Sequence, residues 1–170
     1  MNYEDQVITE FVQNALFRLD ANTRMLSISL GKLSEEQIWQ RPNAASNSVG
    51  NLILHLCGNI SQYAISSLGG TADNRKRNEE FSTQSGYNKT QLLKKLTDVV
   101  AEAKVIIQEC SIENWVKIRK VQGFSFSGIG VVLHVVEHYS YHIGQIAFWT
   151  KQTTNADLGF YDGVDLTVTS

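Results

Sequence analysis

The sequence predicts an all-α protein, a four-helix bundle with a short extended arm or hairpin before its last helix. Four segments repeat apolar residues at helical spacing, the chain has a single proline, and the connectors between the segments are of medium length. The chain has 170 residues, of which 42% are apolar, and this is enough to bury one core. We therefore expect a single domain over residues 1–170.

The first helix is expected over about residues 3–30, where apolar residues recur on one face, and it should end near Gly31. Ser34 and Gln37 then have the spacing of a capping box. This pattern predicts a short helix over residues 34–40.

Cap residues bound the next two helices. The second helix should begin at the N-cap candidates Asn47 and Ser48 and end at Gly69 and Gly70. The third is a clean amphipathic helix, expected to run from Asn88 at its N-cap to about residue 109.

Residues 111–126 alternate between apolar and polar around Gly123, which indicates the extended arm or hairpin. Ser127 is the expected N-cap of the last helix, which should span about residues 127–152.

A polar stripe runs along the otherwise apolar second helix, and its members are Asn51, His55, Asn59 and Gln62. Buried polar groups need partners, because leaving one unpaired costs about 1–3 kcal/mol. One interpretation is that the stripe lines an internal site. The other is that His55 is a core histidine whose ring is satisfied by a backbone carbonyl.

The last helix carries His134, His138 and His142 in the run HVVEHYSYHIGQ. Residues four apart lie on one helical face and can share a metal ion, whereas residues eight apart lie about 12 Å apart along the axis and cannot. The usable pair is therefore His138 with either His134 or His142. A third ligand must come from another helix, and His55 is the one histidine left.

Three imidazoles would leave an open coordination position, which distinguishes a catalytic site from a closed structural one. Imidazole ligands suit zinc, nickel, copper or iron.

The linker after the second helix contains a run of charges. Such runs are usually solvated surface. Alternatively, Arg75 or Arg77 folds over the mouth of the site and holds an anionic group, since guanidinium suits carboxylate and phosphate.

The remaining features bound the functional class. The net charge of −2 gives no sign of a nucleic-acid surface. No signal peptide and no membrane span is expected. Cys57 and Cys110 lack metal-motif spacing and are expected to be reduced and buried, which suggests a cytoplasmic protein.

Small residues lie opposite the histidines on the last helix, at Ser140, Gly144 and Ala147. Small side chains permit close helix approach, and this face fits a homodimer. The alternative is an exposed face whose residues happen to be small.

The segments SVGNLILHL and HVVEHYSYHIGQI together resemble the DinB/YfiT-like superfamily, and the stretch GGTADNRKRNEEF resembles an uncharacterised subfamily within it. The resemblance runs from the first helix to Trp149. It implies a four-helix bundle of DinB/YfiT-like type with one divalent metal ion held by His55, His138 and His142. His142 is preferred over His134 because Gly144 and Gln145 follow it, and His134 then lies beside the ligands or in the core.

Members of this superfamily include S-transferases that use low-molecular-weight thiols, and an isomerase of maleylpyruvate. The resemblance therefore implies a metal-dependent enzyme that transfers a small thiol onto an electrophile, with zinc or nickel favoured and iron or manganese next. The sequence names no catalytic residue. The candidates either for support of the metal ligands or for contact with a small-molecule substrate are His134, Asn51, Asn59, Gln62, Gln145 and Arg75.

Two other functions stay open. A metal-dependent hydrolase would need a general base, and Glu137 lies about 100° off the ligand stripe by the helical period. A non-catalytic bundle that binds metal or a ligand would hold a coordinatively closed ion.

Overall fold

The chain folds into four long helices with short elements between them, which confirms the predicted all-α bundle with a hairpin before its last helix. The computed structural model describes residues 3–169, apart from the side chain of Glu4. The elements are α1 (Tyr3–Lys32), α2 (Val49–Ile60) with a π-helical extension (Ser61–Leu68), α3 (Arg77–Ser82), α4 (Lys89–Gln108), α5 (Ile112–Val116), β1 (Arg119–Val121), β2 (Phe124–Phe126) and α6 (Gly128–Thr154).

Three of the long helices begin at side-chain caps. In each case the cap oxygen accepts a hydrogen bond from the backbone N–H three residues later, which satisfies a donor that the helix leaves unpaired. The caps are Ser48, Asn88 and Ser127.

The bundle has a crossover order. Within residues 3–169, α1 packs on α4 and α6, and α2 packs on the same two helices. Helices α1 and α2 are therefore diagonal, as are α4 and α6. The connectors over residues 33–48 and 109–127 must cross an end of the bundle, which explains why both are long. Because α2 and α6 are neighbours, their facing side chains can meet.

The connector before α6 contains the hairpin. Gln122 and Gly123 both have positive φ, at 49° and 82°, as a two-residue type I′ turn requires. Two strands alone are marginal, and this pair is anchored by the hydroxyl of Tyr63, which donates to Oε1 of Gln122 at 3.1 Å. The expectation of extended structure is wrong for residues 111–116. This stretch forms the short helix α5, which is capped by Ser111 and buries the side chain of Trp115.

The predicted short helix over residues 34–40 is wrong. The capping-box bonds between Ser34 and Gln37 are present, at 2.8 and 3.1 Å, but the segment forms turns only. Ile38 is fully buried, and its carbonyl accepts the N–H of Gly50 at 2.8 Å. This bond ties the segment to the start of α2, so its course is set by that contact.

The apolar core lies between the four long helices and is formed by side chains from all of them. It therefore includes apolar residues of α2 and α6, the helices that carry the histidines. Cys57 is a buried free thiol, and burial raises its pKa to about 12; Cys110 is a free thiol that is half-buried. In the part of the chain that the structure describes, no helix has both the length and the apolar character needed to cross a membrane.

Candidate metal centre

Three of the four histidines meet between α2 and α6. One ring nitrogen from each of His55, His138 and His142 lies within 4.8 Å of the other two. The Nε2 atoms of His55 and His138 are 2.9 Å apart. This separation is close to what two nitrogens bound to one ion at roughly 2.0–2.1 Å would show.

His142 supplies an unpaired nitrogen to this cluster. Its Nδ1 lies 2.7 Å from Oε1 of Gln145, and an amide oxygen can only accept, so Nδ1 carries the hydrogen. Its Nε2 is buried and, among the described residues, has no hydrogen-bond partner. A buried polar atom without a partner costs about 1–3 kcal/mol. A metal ion at the cluster would satisfy it, so the donor set fits a divalent cation.

His55 is oriented from the opposite side by Glu80. The Nδ1–H of His55 donates to Oε2 of Glu80 at 2.9 Å. The other nitrogen, Nε2, is then unprotonated and faces the cluster. A carboxylate that fixes the ring of a histidine in this way is a common feature around metal ligands.

Arg75 holds the Glu80 carboxylate in its ionised form. Its Nε donates to Oε1 at 2.7 Å and its Nη2 to Oε2 at 2.9 Å, and the two side chains are only 3% and 8% exposed. Burial by itself would raise the pKa of Glu80. Hydrogen bonds from Arg75 and His55 outweigh burial and hold that pKa below its usual value.

Two imidazoles of the cluster are kept neutral by burial. Burial, followed by the neighbouring His142 and His55, lowers the pKa of His138 to about 3. Burial also lowers the pKa of His142. Neutral imidazole is the form that binds metals, so the rings are ready to ligate at neutral pH.

His134 stands beside the cluster and is not among the nitrogens that converge. Its ring stacks on Tyr63 with centroids 4.0 Å apart and on His138 at 5.2 Å. Its Nε2 lies 3.2 Å from Nδ2 of Asn59, whose Oδ1 is buried and, within the described chain, unpartnered.

The other substrate-contact candidates have partners within the fold. Asn51 donates to the backbone carbonyls of Glu80 and Thr83 at 2.9 and 2.7 Å, so it fastens α3 to α2. Gln62 accepts from Arg75 at 2.8 Å and donates to Asp73 at 2.6 Å.

Glu80 is the residue that the sequence did not identify. It lies in the charged linker. The expectation of a solvated surface is met there by Lys76 and Glu79, whose side chains are 73% and 68% exposed. Arg75 instead folds inward. The signal for inward-facing charged residues was the polar stripe on α2, because its buried groups required partners from another segment.

A groove of about 420 Å³ is lined in part by Gln145, the hydrogen-bond partner of His142. Its walls come from the connector before α2, from α2 and from the last turns of α6. It contains no charged side chain, and it includes Leu52, Phe148 and Trp149. A ligand in it would lie next to the amide that orients His142.

Comparison with known proteins identifies the family. A family model described as "Protein of unknown function (DUF1572)" matches residues 6–161, and the chain belongs to this family. Comparison with curated proteins gave no match.

Solved structures share the fold at low sequence identity. A DinB-like protein from Bacillus cereus is 15% identical with a TM-score of 0.67, over 84% of this chain and 90% of that one. The DinB-like protein YjoA from Bacillus subtilis is 15% identical with a TM-score of 0.63, over 87% and 94%. A mycothiol-dependent maleylpyruvate isomerase is 18% identical with a TM-score of 0.64, over 90% and 70%. These matches show that the chain has the fold of DinB-like proteins, as the resemblance predicted.

Proposed function

We propose that this DUF1572 protein binds one divalent metal ion through His55, His138 and His142 and transfers a small thiol onto an electrophile. The observation that carries the proposal is the convergence of three ring nitrogens within 4.8 Å, one of which is buried and unpaired among the described residues. Three imidazoles leave room for a further ligand on the ion.

The chain's own residues prepare this centre. Glu80 fixes the tautomer and direction of His55, and Gln145 does the same for His142. Arg75 balances the buried charge of Glu80. A divalent cation bound here would supply a Lewis acid that favours the deprotonated form of a thiol.

The thiol in this proposal comes from a small molecule. Burial raises the pKa of both free cysteines, Cys57 to about 12 and Cys110 in the same direction, so neither is a ready thiolate. A fold neighbour that is mycothiol-dependent supports the choice of a low-molecular-weight thiol. The uncharged groove beside Gln145 offers a place for the electrophile.

The test is to load the purified protein separately with Zn²⁺, Ni²⁺, Fe²⁺ and Mn²⁺. Each form is offered bacillithiol, mycothiol, glutathione or cysteine with 1-chloro-2,4-dinitrobenzene, and formation of the thioether is followed by absorbance. We expect metal-dependent turnover with at least one pair. No turnover by any combination, with the metal bound, would overturn the transferase proposal.

Histidine variants separate the ligands from their neighbour. We expect His142→Ala to lose metal binding and turnover together, because it removes one of three ligands. His134→Phe is the matched control, since a phenyl ring keeps the stacking on Tyr63 and His138 and should leave metal occupancy near that of the wild type. Loss of metal in the control and not in His142→Ala would contradict the ligand set.

A metal-dependent hydrolase would need a carboxylate as general base, and neither Glu137 nor Glu80 is placed for that role. Glu137 lies on another face of α6, where it lines a cavity against α1. Glu80 is held by His55 and Arg75 and is not free to act as a general base. Neither side chain therefore favours a hydrolase over a transferase.

A further inference from the structure

A second polar pair lies beside the histidine cluster, in the interface between α2 and α6. Asn59 follows His55 by one helical turn, and His134 precedes His138 by one turn, so each lies on the helical face of its neighbour. Nδ2 of Asn59 donates to Nε2 of His134 at 3.2 Å. The His134 ring stacks on that of His138, with centroids 5.2 Å apart. The pair of Asn59 and His134 therefore borders the cluster on one side.

Only half of the Asn59 amide is paired. The residue is 2% exposed, and its Oδ1 is buried without a hydrogen-bond partner in residues 3–169. Asn51 on the same helix is 1% exposed, yet its oxygen accepts from Ser48 and its nitrogen donates to the carbonyl of Glu80. Buried amides are normally paired. The fold therefore completes the amide of Asn51 and leaves an acceptor at Asn59 for a group from outside the chain.

His134 fixes the direction of this acceptor. Its ring stacks on Tyr63, with centroids 4.0 Å apart, as well as on His138, so it is held on both contacts. The bond from Nδ2 then ties the Asn59 amide to the ring. Because Oδ1 belongs to the same planar amide, it is held at a set angle beside the cluster.

The chemistry of the free atom selects the ligand. An amide oxygen accepts and cannot donate, so the group that completes Asn59 must carry an N–H or O–H. Thiols derived from cysteine carry an N–H on the second carbon from sulfur, as an amine in cysteine and bacillithiol and as an amide in glutathione and mycothiol. With the sulfur at the cluster, this nitrogen extends toward the next helical layer, since residues one turn apart have Cβ atoms about 5–6 Å apart.

We propose that Oδ1 of Asn59 recognises the cysteinyl N–H of the thiol, and that His134 is the positioning residue that directs the Asn59 amide. The inference rests on the proposed thiol transfer and narrows its substrate to thiols built on cysteine. A thiol that lacks the N–H leaves Oδ1 unpaired and binds more weakly. The pair also gives a role to the one histidine that does not converge on the cluster.

Thiol binding is measured without turnover. The protein is loaded with Co²⁺, and thiolate ligation is followed by the absorption band for charge transfer from sulfur to the metal. The two probes are N-acetylcysteine and 3-mercaptopropionate, which differ only in the acetamido group that carries the N–H. We expect the wild type to bind N-acetylcysteine about tenfold more tightly, because a buried acceptor gains its partner.

Two variants assign this preference to its residues. Asn59→Leu keeps the approximate size of the side chain but removes the acceptor, so it should retain Co²⁺ and bind both thiols with similar affinity. His134→Phe should retain Co²⁺ and lose most of the preference, because the bond that directs the amide is gone. Asn14→Leu is the matched control, since Asn14 is exposed on α1, where its amide bonds to Glu10, and the preference should stay at the wild-type value.

The possible failures are distinguishable. If neither thiol produces the band while Co²⁺ is bound, the proposed thiol transfer fails and this inference fails with it. If the wild type binds both thiols equally, or if Asn59→Leu keeps the tenfold preference with wild-type helical circular dichroism, thiol transfer stands and the role of Asn59 is overturned.

Discussion

Glu80 determines how His55 can act. Without a partner at Nδ1, the imidazole could carry its hydrogen on either nitrogen, and only one tautomer leaves Nε2 free. The carboxylate removes this choice, because an ionised carboxylate accepts and cannot donate. Arg75 in turn keeps the carboxylate ionised. The orientation of one proposed ligand therefore depends on two residues that are not themselves proposed as ligands.

Glu80→Gln should weaken metal binding. The neutral amide is a poorer acceptor for His55 and leaves the buried guanidinium of Arg75 without its counter-charge. Loss of such an outer partner typically costs 10–100-fold in metal affinity, and we expect a fall in that range. The affinity is measured by competition with a chromogenic chelator. Glu79→Gln is the control, because its side chain is exposed and pairs only with Lys76. Equal affinities for the two variants would refute this role.

Helical spacing predicted a histidine pair on one face but left His134 and His142 as alternatives, and Glu80 was the supporting residue that the sequence did not single out. Helical spacing places His138 and His142 on one face, and this needs only local geometry. Glu79 and Glu80 are adjacent acids in the same charged run, and no local pattern distinguishes them. The distinction arises from tertiary packing, because α3 turns Glu80 inward against α2 and leaves Glu79 in solvent.

At the scale of elements, the docking of α3 on α2 depends on close approach at Gly58. A Cβ built at Gly58 would overlap the Glu80 carboxylate and would lie 2.9 Å from Nε of Arg75. Glycine therefore provides the space in which the ion pair lies flat against the helix. This contact connects the linker segment with the histidine cluster, because Glu80 bonds to His55.

Gly58→Ala should displace the Glu80 and Arg75 pair. It should therefore lower metal affinity, as Glu80→Gln does. It should also reduce the free energy of unfolding, even though alanine is the better helix former by about 0.5–1 kcal/mol. Gly31→Ala provides the comparison, because its Cβ meets nothing within 4 Å and the helical preference should then stabilise the protein. Both effects are measured by urea denaturation and chelator competition. A Gly58→Ala protein as stable and as tight-binding as Gly31→Ala would show that the space is not required.

The boundaries of the long helices were predictable because Ser48, Asn88 and Ser127 are local signals. The π-helical extension of α2 was not predicted, since residues 61–68 continue the same apolar pattern. It is defined by a wider hydrogen bond, such as Gly69 N–H to the carbonyl of Ala64 at 3.0 Å. In residues 34–40 a local signal was present but did not decide the structure. The capping-box bonds formed, yet no helix followed, because the carbonyl of Ile38 bonds to the N–H of Gly50 at the start of α2.

At the scale of the whole molecule, the order of the helices decides whether a metal site can form. Four amphipathic segments are compatible with either an up-and-down or a crossover bundle, and periodicity does not choose between them. The crossover order makes α2 and α6 neighbours, so that His55 meets His138 and His142. The histidines themselves were the evidence in the sequence that these two helices face each other.

Because the proposed ion joins two helices that are far apart in sequence, its binding should stabilise the whole bundle. A ligand that binds only the folded state contributes about 2.7 kcal/mol at 100 times its Kd. We expect EDTA to lower the midpoint of thermal unfolding by several degrees but to leave the protein folded, since a core of buried apolar residues from all four long helices lies outside the cluster. His55→Ala should show the lower midpoint with and without EDTA. Unfolding of the wild type by EDTA at room temperature would instead mark the ion as structural, as a closed site in a non-catalytic bundle would require.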